Sequence, residues 1–227
     1  MAMNNHFRLG LCGLLALAAL QAAAAPLRPE QQDALDRAEQ RYDGGQLDQA
    51  RRAFEALSRQ GVAAADFSLA VMHLRRQLSG ASERSARRLL ERAALGGFVT
   101  AQLTLARTLE SGELGVRDLL RAHHWYALAA DSGNVDAMTA MGTAHYLGRG
   151  APKDMARAAH WFREAAKGGD VGAQYLLASL YESGEGVERD LRLARYWYDV
   201  AARNGDEAGP DKVKEMDSKL AAEVGGR

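Results

Sequence analysis

Gly61, Gly97, Gly133, Gly169 and Gly205 follow one another at a constant interval of 36 residues, so no insertion or deletion separates the segments they bound. Alanines keep the same step, at Ala65, Ala101, Ala137 and Ala173, and again at Ala50, Ala86, Ala122, Ala158 and Ala194. The phrases HWYALAADSGN from His124, HWFREAAKGGD from His160 and YWYDVAARNGD from Tyr196 are three renderings of one text. A period of this length, in a chain of 227 residues with only 4 prolines, signals stacked helix pairs. One helix pair cannot bury both of its faces, and stacking the next pair completes the burial, so the ends need special treatment.

Within a unit, AQLTLARTLESG places Ala101, Leu105 and Leu109 on one apolar stripe, the first helix of the pair. DLLRAHHWYALAADSG does the same with Leu119, Ala122, Trp125 or Tyr126, and Ala129, and ends at Gly133, where a left-handed cap suits glycine. Asp118, Asp154 and Asp190 recur at the start of the second helix and read as helix caps rather than ligands. Trp125, Trp161 and Trp197 are expected to supply large apolar area over the small alanines. Beyond Gly205 the period fails, and Pro210 followed by DKVKEMDSKLAAEV reads as a charged closing helix.

Basic and acidic side chains balance at 29 each, which points to neither a nucleic-acid surface nor a strongly charged partner. The first residues differ from the rest: one arginine in MAMNNHFR, an apolar run LGLCGLLALAAL, then QAAAAP with small residues for cleavage. This reads as a secretory signal over residues 1–24, with a mature chain from Ala25 that is periplasmic and not inserted in a membrane. The single cysteine, Cys12, lies inside the apolar run, so the mature chain has no thiol for a disulfide, a catalytic nucleophile or a metal.

No constellation for catalysis emerges. His123 and His124 are neighbours on a helix and point about 100° apart, a poor chelating geometry. His124 and His160 are equivalent in the repeat, as are His73 and His145, which makes them architectural features. The glycine-rich turns lack the Lys-Ser/Thr of a phosphate loop, and ESGEGVERD has too few oxygen ligands for calcium. The reading is therefore of a non-enzyme with no cofactor and no metal.

The run Ala-x-x-x-Leu-Ala/Gly, Gly-x-Gly-Val, Asp, Ala-x-x-Trp-Tyr and Ala-Ala-x-x-Gly resembles the Sel-one-like repeat (SLR) family, relatives of the tetratricopeptide repeats. Residues 173–205 match the pattern almost fully. MGTAHYLGRG departs by His145 and Ala151, the unit before it has Leu109 for the usual tyrosine, and residues 61–97 carry Leu89 and Leu90 in place of the aromatic pair. The resemblance implies an all-α fold, a short α-solenoid (right-handed superhelix) of about five antiparallel helix pairs with a C-terminal capping helix. The expected division is a tetratricopeptide-like unit over 25–61, a degenerate repeat over 62–97, repeats over 98–133, 134–169 and 170–205, and a cap with tail over 206–227.

If tetratricopeptide geometry carries over, the first helices line a concave face in three rows: Phe67, Leu103, Thr139 and Tyr175; Val71, Arg107, Thr143 and Ser179; Leu74, Glu110, Tyr146 and Glu182. Phe67, Leu103 and Val71 also have a purely architectural reading, as packing against the N-terminal unit. Arg107, Tyr146 and Tyr175 are the stronger binding candidates, because arginine and aromatics often dominate interfaces. The family resemblance implies a periplasmic protein-protein interaction module, as envelope scaffold or adaptor, whose partner is an envelope-machine subunit. The alternative it offers is an immunity protein neutralising a type VI secretion phospholipase effector. A β-lactam-binding or hydrolysing activity is a third; the cysteine-rich members to which it is ascribed staple each unit with a disulfide, and this chain also lacks a Ser-x-x-Lys.

Overall fold

The structure, a computed structural model, describes residues 26–225; the secretory signal expected over residues 1–24 lies outside them. Eleven α-helices and no strand occur among the described residues. They are α1 (Pro29–Asp43), α2 (Leu47–Arg59), α3 (Ala63–Leu74), α4 (Glu83–Leu95), α5 (Val99–Ser111), α6 (Leu119–Asp131), α7 (Val135–Leu147), α8 (Met155–Lys167), α9 (Val171–Ser183), α10 (Leu191–Arg203) and α11 (Gly209–Gly225). The chain divides into two compact units at Leu105, within α5.

The five periodic glycines explain the punctuation. All of them sit at positive φ, from +80° at Gly61 to +101° at Gly205, a region that side chains with a Cβ resist. At Gly133 the helix end is closed by the Gly133 N–H to Ala130 O bond of 2.9 Å and the Asn134 N–H to Ala129 O bond of 3.0 Å. Asn134 then caps the next helix through Ala137 N–H, so only Ser132, Gly133 and Asn134 separate one helix from its successor. The other turn is longer, and it ends in the aspartates read as caps. Asp118 accepts from Arg121 N–H, Asp154 from Arg157 N–H, and Asp190 from Arg192 and Leu193 N–H. Within the longer turn Gly186 approaches the preceding unit so closely that a Cβ there would fall 2.2 Å from Met155 O.

The first unit is built on Leu35, Ala38, Phe54, Leu57, Val62, Leu69 and Met72, drawn from α1, α2 and α3 and their junctions. It also holds a buried charge. The Asp66 side chain is 3% exposed and is met by the Arg92 guanidinium of α4, with Nε donating to Oδ2 at 2.5 Å.

In the second unit the alanines at Ala158, Ala165, Ala166 and Ala173 let α8 and α9 approach, with Phe162 and Leu177 filling the space between. Tyr198 and Met216 close the core at α10 and α11. The aromatic pair does not behave as the sequence reading proposed. Trp125 and Tyr126 are both 6% exposed, but Phe162 and Tyr198 are 1% exposed while Trp161 and Trp197 are only half-buried. In the last two units the second aromatic is the core residue, because successive side chains on a helix diverge by about 100° and one of them faces the alanines squarely.

Candidate functional site

The first helices of the pairs are α3, α5, α7 and α9, and the twelve nominated side chains all lie on them. In the first unit Phe67 is half-buried and its ring meets Phe98 at 5.3 Å between centroids. Val71 is half-buried and Leu74 is 37% exposed, whereas Leu103 is 8% exposed and leaves little area for a partner.

In the second unit Tyr146 on α7 is 37% exposed and Tyr175 on α9 is half-buried. Each is held from below by the core aromatic of its own helix pair. The Tyr146 ring lies 6.4 Å from that of Phe162, and the Tyr175 ring meets Tyr198 edge-on at 5.0 Å. An aromatic side chain fixed in this way loses little conformational freedom when a partner covers it. Thr143 is exposed and its hydroxyl donates to Thr139 O at 2.9 Å, while Ser179 is half-buried. Arg107 is exposed and reaches Asp136, also exposed, at 2.8 Å, which adds a cation to the face.

Glu110 and Glu182 are not free carboxylates. Tyr126 OH donates to Glu110 Oε2 at 2.7 Å, and Tyr198 OH donates to Glu182 Oε2 at 2.8 Å. Burial, then the bond to the carboxylate, pushes both phenol pKa values well above the ordinary range, so the hydroxyls stay protonated donors. The pattern is coherent across the repeat. Where the glutamate is replaced by Tyr146, the residue sixteen positions later is Phe162, which has no hydroxyl to satisfy.

A cleft of about 240 Å³ opens beside this face between α5, α6 and α7, with Ala122, Ala140 and Ala144 in its apolar wall and Glu110, Asp136 and Arg149 supplying charge. His123 and Thr139 also line it, and the buried atoms His123 Nε2 and Thr139 Oγ1 have no hydrogen-bond partner. The His123 ring packs perpendicular to His145 at 5.4 Å, and burial, then neighbouring His145, His124 and Arg157, lowers its pKa. The cleft, with Asp136, Ala140 and Ala144, was not anticipated from sequence. Its signal there is a pair of alanines where the next repeat carries Leu176 and Leu180. Among the described residues no three His, Cys, Asp or Glu side chains stand together as a metal site.

The family model of the Sel1 repeat matches residues 63–98, 99–134, 135–170 and 171–206. The chain belongs to the Sel1 repeat family. Sel1 repeat proteins mediate protein-protein interaction, and the family is generally a non-catalytic interaction scaffold. Among solved structures, a protective antigen of uropathogenic Escherichia coli strains displaying an SLR fold is similar at TM-score 0.74 and 26% identity, over 92% of this chain and 44% of that one. The chain thus spans less than half the length of that antigen. A Sel1 repeat protein from Oxalobacter formigenes is similar at TM-score 0.72 and 26% identity, over 78% of this chain and 73% of the other. An immunity protein from Pseudomonas aeruginosa is matched at TM-score 0.44 and 20% identity, over 82% of this chain and 70% of that one, a likeness that carries no argument about function. Curated proteins yield no match. The all-α fold of repeated helix pairs is that of the SLR proteins, and no helix among the described residues is long and apolar enough to cross a membrane.

Proposed function

We propose that this Sel1 repeat chain is an exported, non-enzymatic module of the periplasm that grips one protein partner through the first-helix face of its second unit. The observation that carries the reading is the pair Tyr146 and Tyr175, outward-facing aromatics on successive first helices, each braced by a buried ring. Arg107, paired with Asp136, adds a positive charge to the same face. Phe67, Val71 and Leu74 form the corresponding face of the first unit. Export rests on the charged, apolar and small-residue order of the first 25 residues.

The test uses the partner recovered from periplasmic extract and identified by mass spectrometry, with its affinity then measured by calorimetry. Replacing both Tyr146 and Tyr175 by alanine should leave the helical content intact and weaken binding by at least about tenfold, as expected of aromatic anchors. Undiminished affinity of a folded double variant would refute the assignment of the face. The identity of the partner separates the two roles, an envelope subunit for a scaffold and a toxic phospholipase for an immunity protein.

A further inference from the structure

The repeat places the same junction at three points of the second unit, and the chain itself fills two of them. At the C-terminal junction the Glu182–Tyr198 pair is met by α11, which follows α10 as α7 follows α6. Lys212 Nζ donates to Glu182 Oε2 at 3.3 Å and lies 5.6 Å from the Tyr198 ring centroid, and Lys219 Nζ donates to Glu182 Oε1 at 2.6 Å. Met216 is wholly buried beside them. At the middle junction the pair is Tyr146 and Phe162, both without a carboxylate, and α9 supplies the apolar Leu176 and Leu180. Each filling matches the chemistry of its pair.

The remaining junction has the Glu110–Tyr126 pair, the same constellation that draws lysines two periods later. Yet α7 presents Ala140 and Ala144 at the positions where α11 has Lys212 and Met216. Truncated side chains there leave the cleft of about 240 Å³, and its unsatisfied atoms, Thr139 Oγ1 and His123 Nε2, can both accept a hydrogen bond when the imidazole is neutral. Asp136 also lines the cleft, but its carboxylate is already paired with Arg107 at 2.8 Å, so Glu110 is the carboxylate the site relies on. The geometry points to a binding subsite for a lysine side chain of the protein partner, its aliphatic stem along Ala140 and Ala144 and its ammonium on Glu110 over the Tyr126 ring. This rests on the protein-binding reading above and deepens it. Arg149 lines the same cleft and opposes a second cation, but it is exposed and has room to turn into solvent.

The experiment titrates Nα-acetyl-lysine N-methylamide into the full chain and follows the alanine methyl resonances of Ala140 and Ala144 by NMR. Saturable shifts at those methyls are expected, with none from the norleucine analogue, which has the stem without the charge. Glu110→Gln should weaken the lysine probe by about tenfold or more, the loss of a charge-assisted bond, and Arg149→Ala should strengthen it. Should Glu110→Gln disturb folding, Ala140→Leu, copying Leu176 of the next repeat, fills the cleft and is expected to abolish the shifts. Three results would each overturn the inference: no response, an equal response to norleucine, or a stronger response to the glutamate analogue through Arg149. Because the probe is a single residue, its failure leaves the Tyr146 and Tyr175 experiment untouched, and a failure of that experiment leaves this one readable.

Discussion

Replacing Phe162 by alanine should harm the fold far more than replacing its larger neighbour Trp161. Phe162 is 1% exposed and its ring lies flat on α7 at Gly142, so close that a Cβ on Gly142 would sit 2.6 Å from ring atoms. Removing the ring leaves a cavity in the core that Phe162 shares with Ala158, Ala159, Ala165 and Leu177, whose alanines are too short to fill it. A buried Phe→Ala change with poor collapse costs about 3–5 kcal/mol. Trp161 is only half-buried and is not one of the side chains of that core, and the apolar area it would lose corresponds to about 1–2 kcal/mol. For a chain of this size the first change should lower the melting temperature by about 6–20 °C. Urea titration of both variants, followed by far-UV circular dichroism, measures the two values side by side. If Trp161→Ala costs as much as Phe162→Ala, the assignment of the second aromatic as the packing residue is wrong.

The Asp66–Arg92 pair should respond unequally to its two deletions. Arg92→Ala strands a carboxylate that is 3% exposed, at a cost of about 3 kcal/mol, whereas Asp66→Ala frees a guanidinium already 54% exposed and should cost clearly less in the same urea titration. Docking of α11 should be sensitive to acid. Burial tends to raise the Glu182 pKa, but hydrogen bonds from Lys219, Tyr198 and Lys212 prevail and hold it below 4.5 in the folded chain. Its contribution is therefore complete above the unfolded value near 4.5 and is lost as pH falls through the lower folded value. Amide exchange within α11 should accelerate over that window, and Glu182→Gln should flatten the pH dependence. Gly186→Ala should destabilise the chain, since its Cβ would meet Met155 O at 2.2 Å and φ is +73°; a rise in melting temperature would contradict the close approach of the turn.

The helix pairs and their punctuation were legible in the sequence because they depend on local chemistry. A glycine at a fixed step closes a helix whatever surrounds it, and Asp118, Asp154 and Asp190 cap through backbone N–H groups two or three residues away. Side-chain direction was less legible. Trp161 and Phe162 are adjacent, and which of them faces the alanines depends on where α7 and α9 lie. Position alone likewise defines the outward rows, and it does not tell that Leu103, which has a packing reading as well, is buried, or that tyrosine hydroxyls occupy Glu110 and Glu182. Their pairing is visible only when residues sixteen apart are compared across units. The cleft was harder still, because Ala140 and Ala144 signal it by what they lack.

Photo-crosslinking tests the central claim most directly. A benzophenone side chain placed singly at Thr143, Tyr146 and Tyr175, and at Leu120 and Tyr196 on the second helices as controls, is illuminated in cells that make the protein. The expected result is one protein adduct, the same from all three first-helix positions and absent from both controls. Adducts confined to Leu120 and Tyr196 would contradict the account.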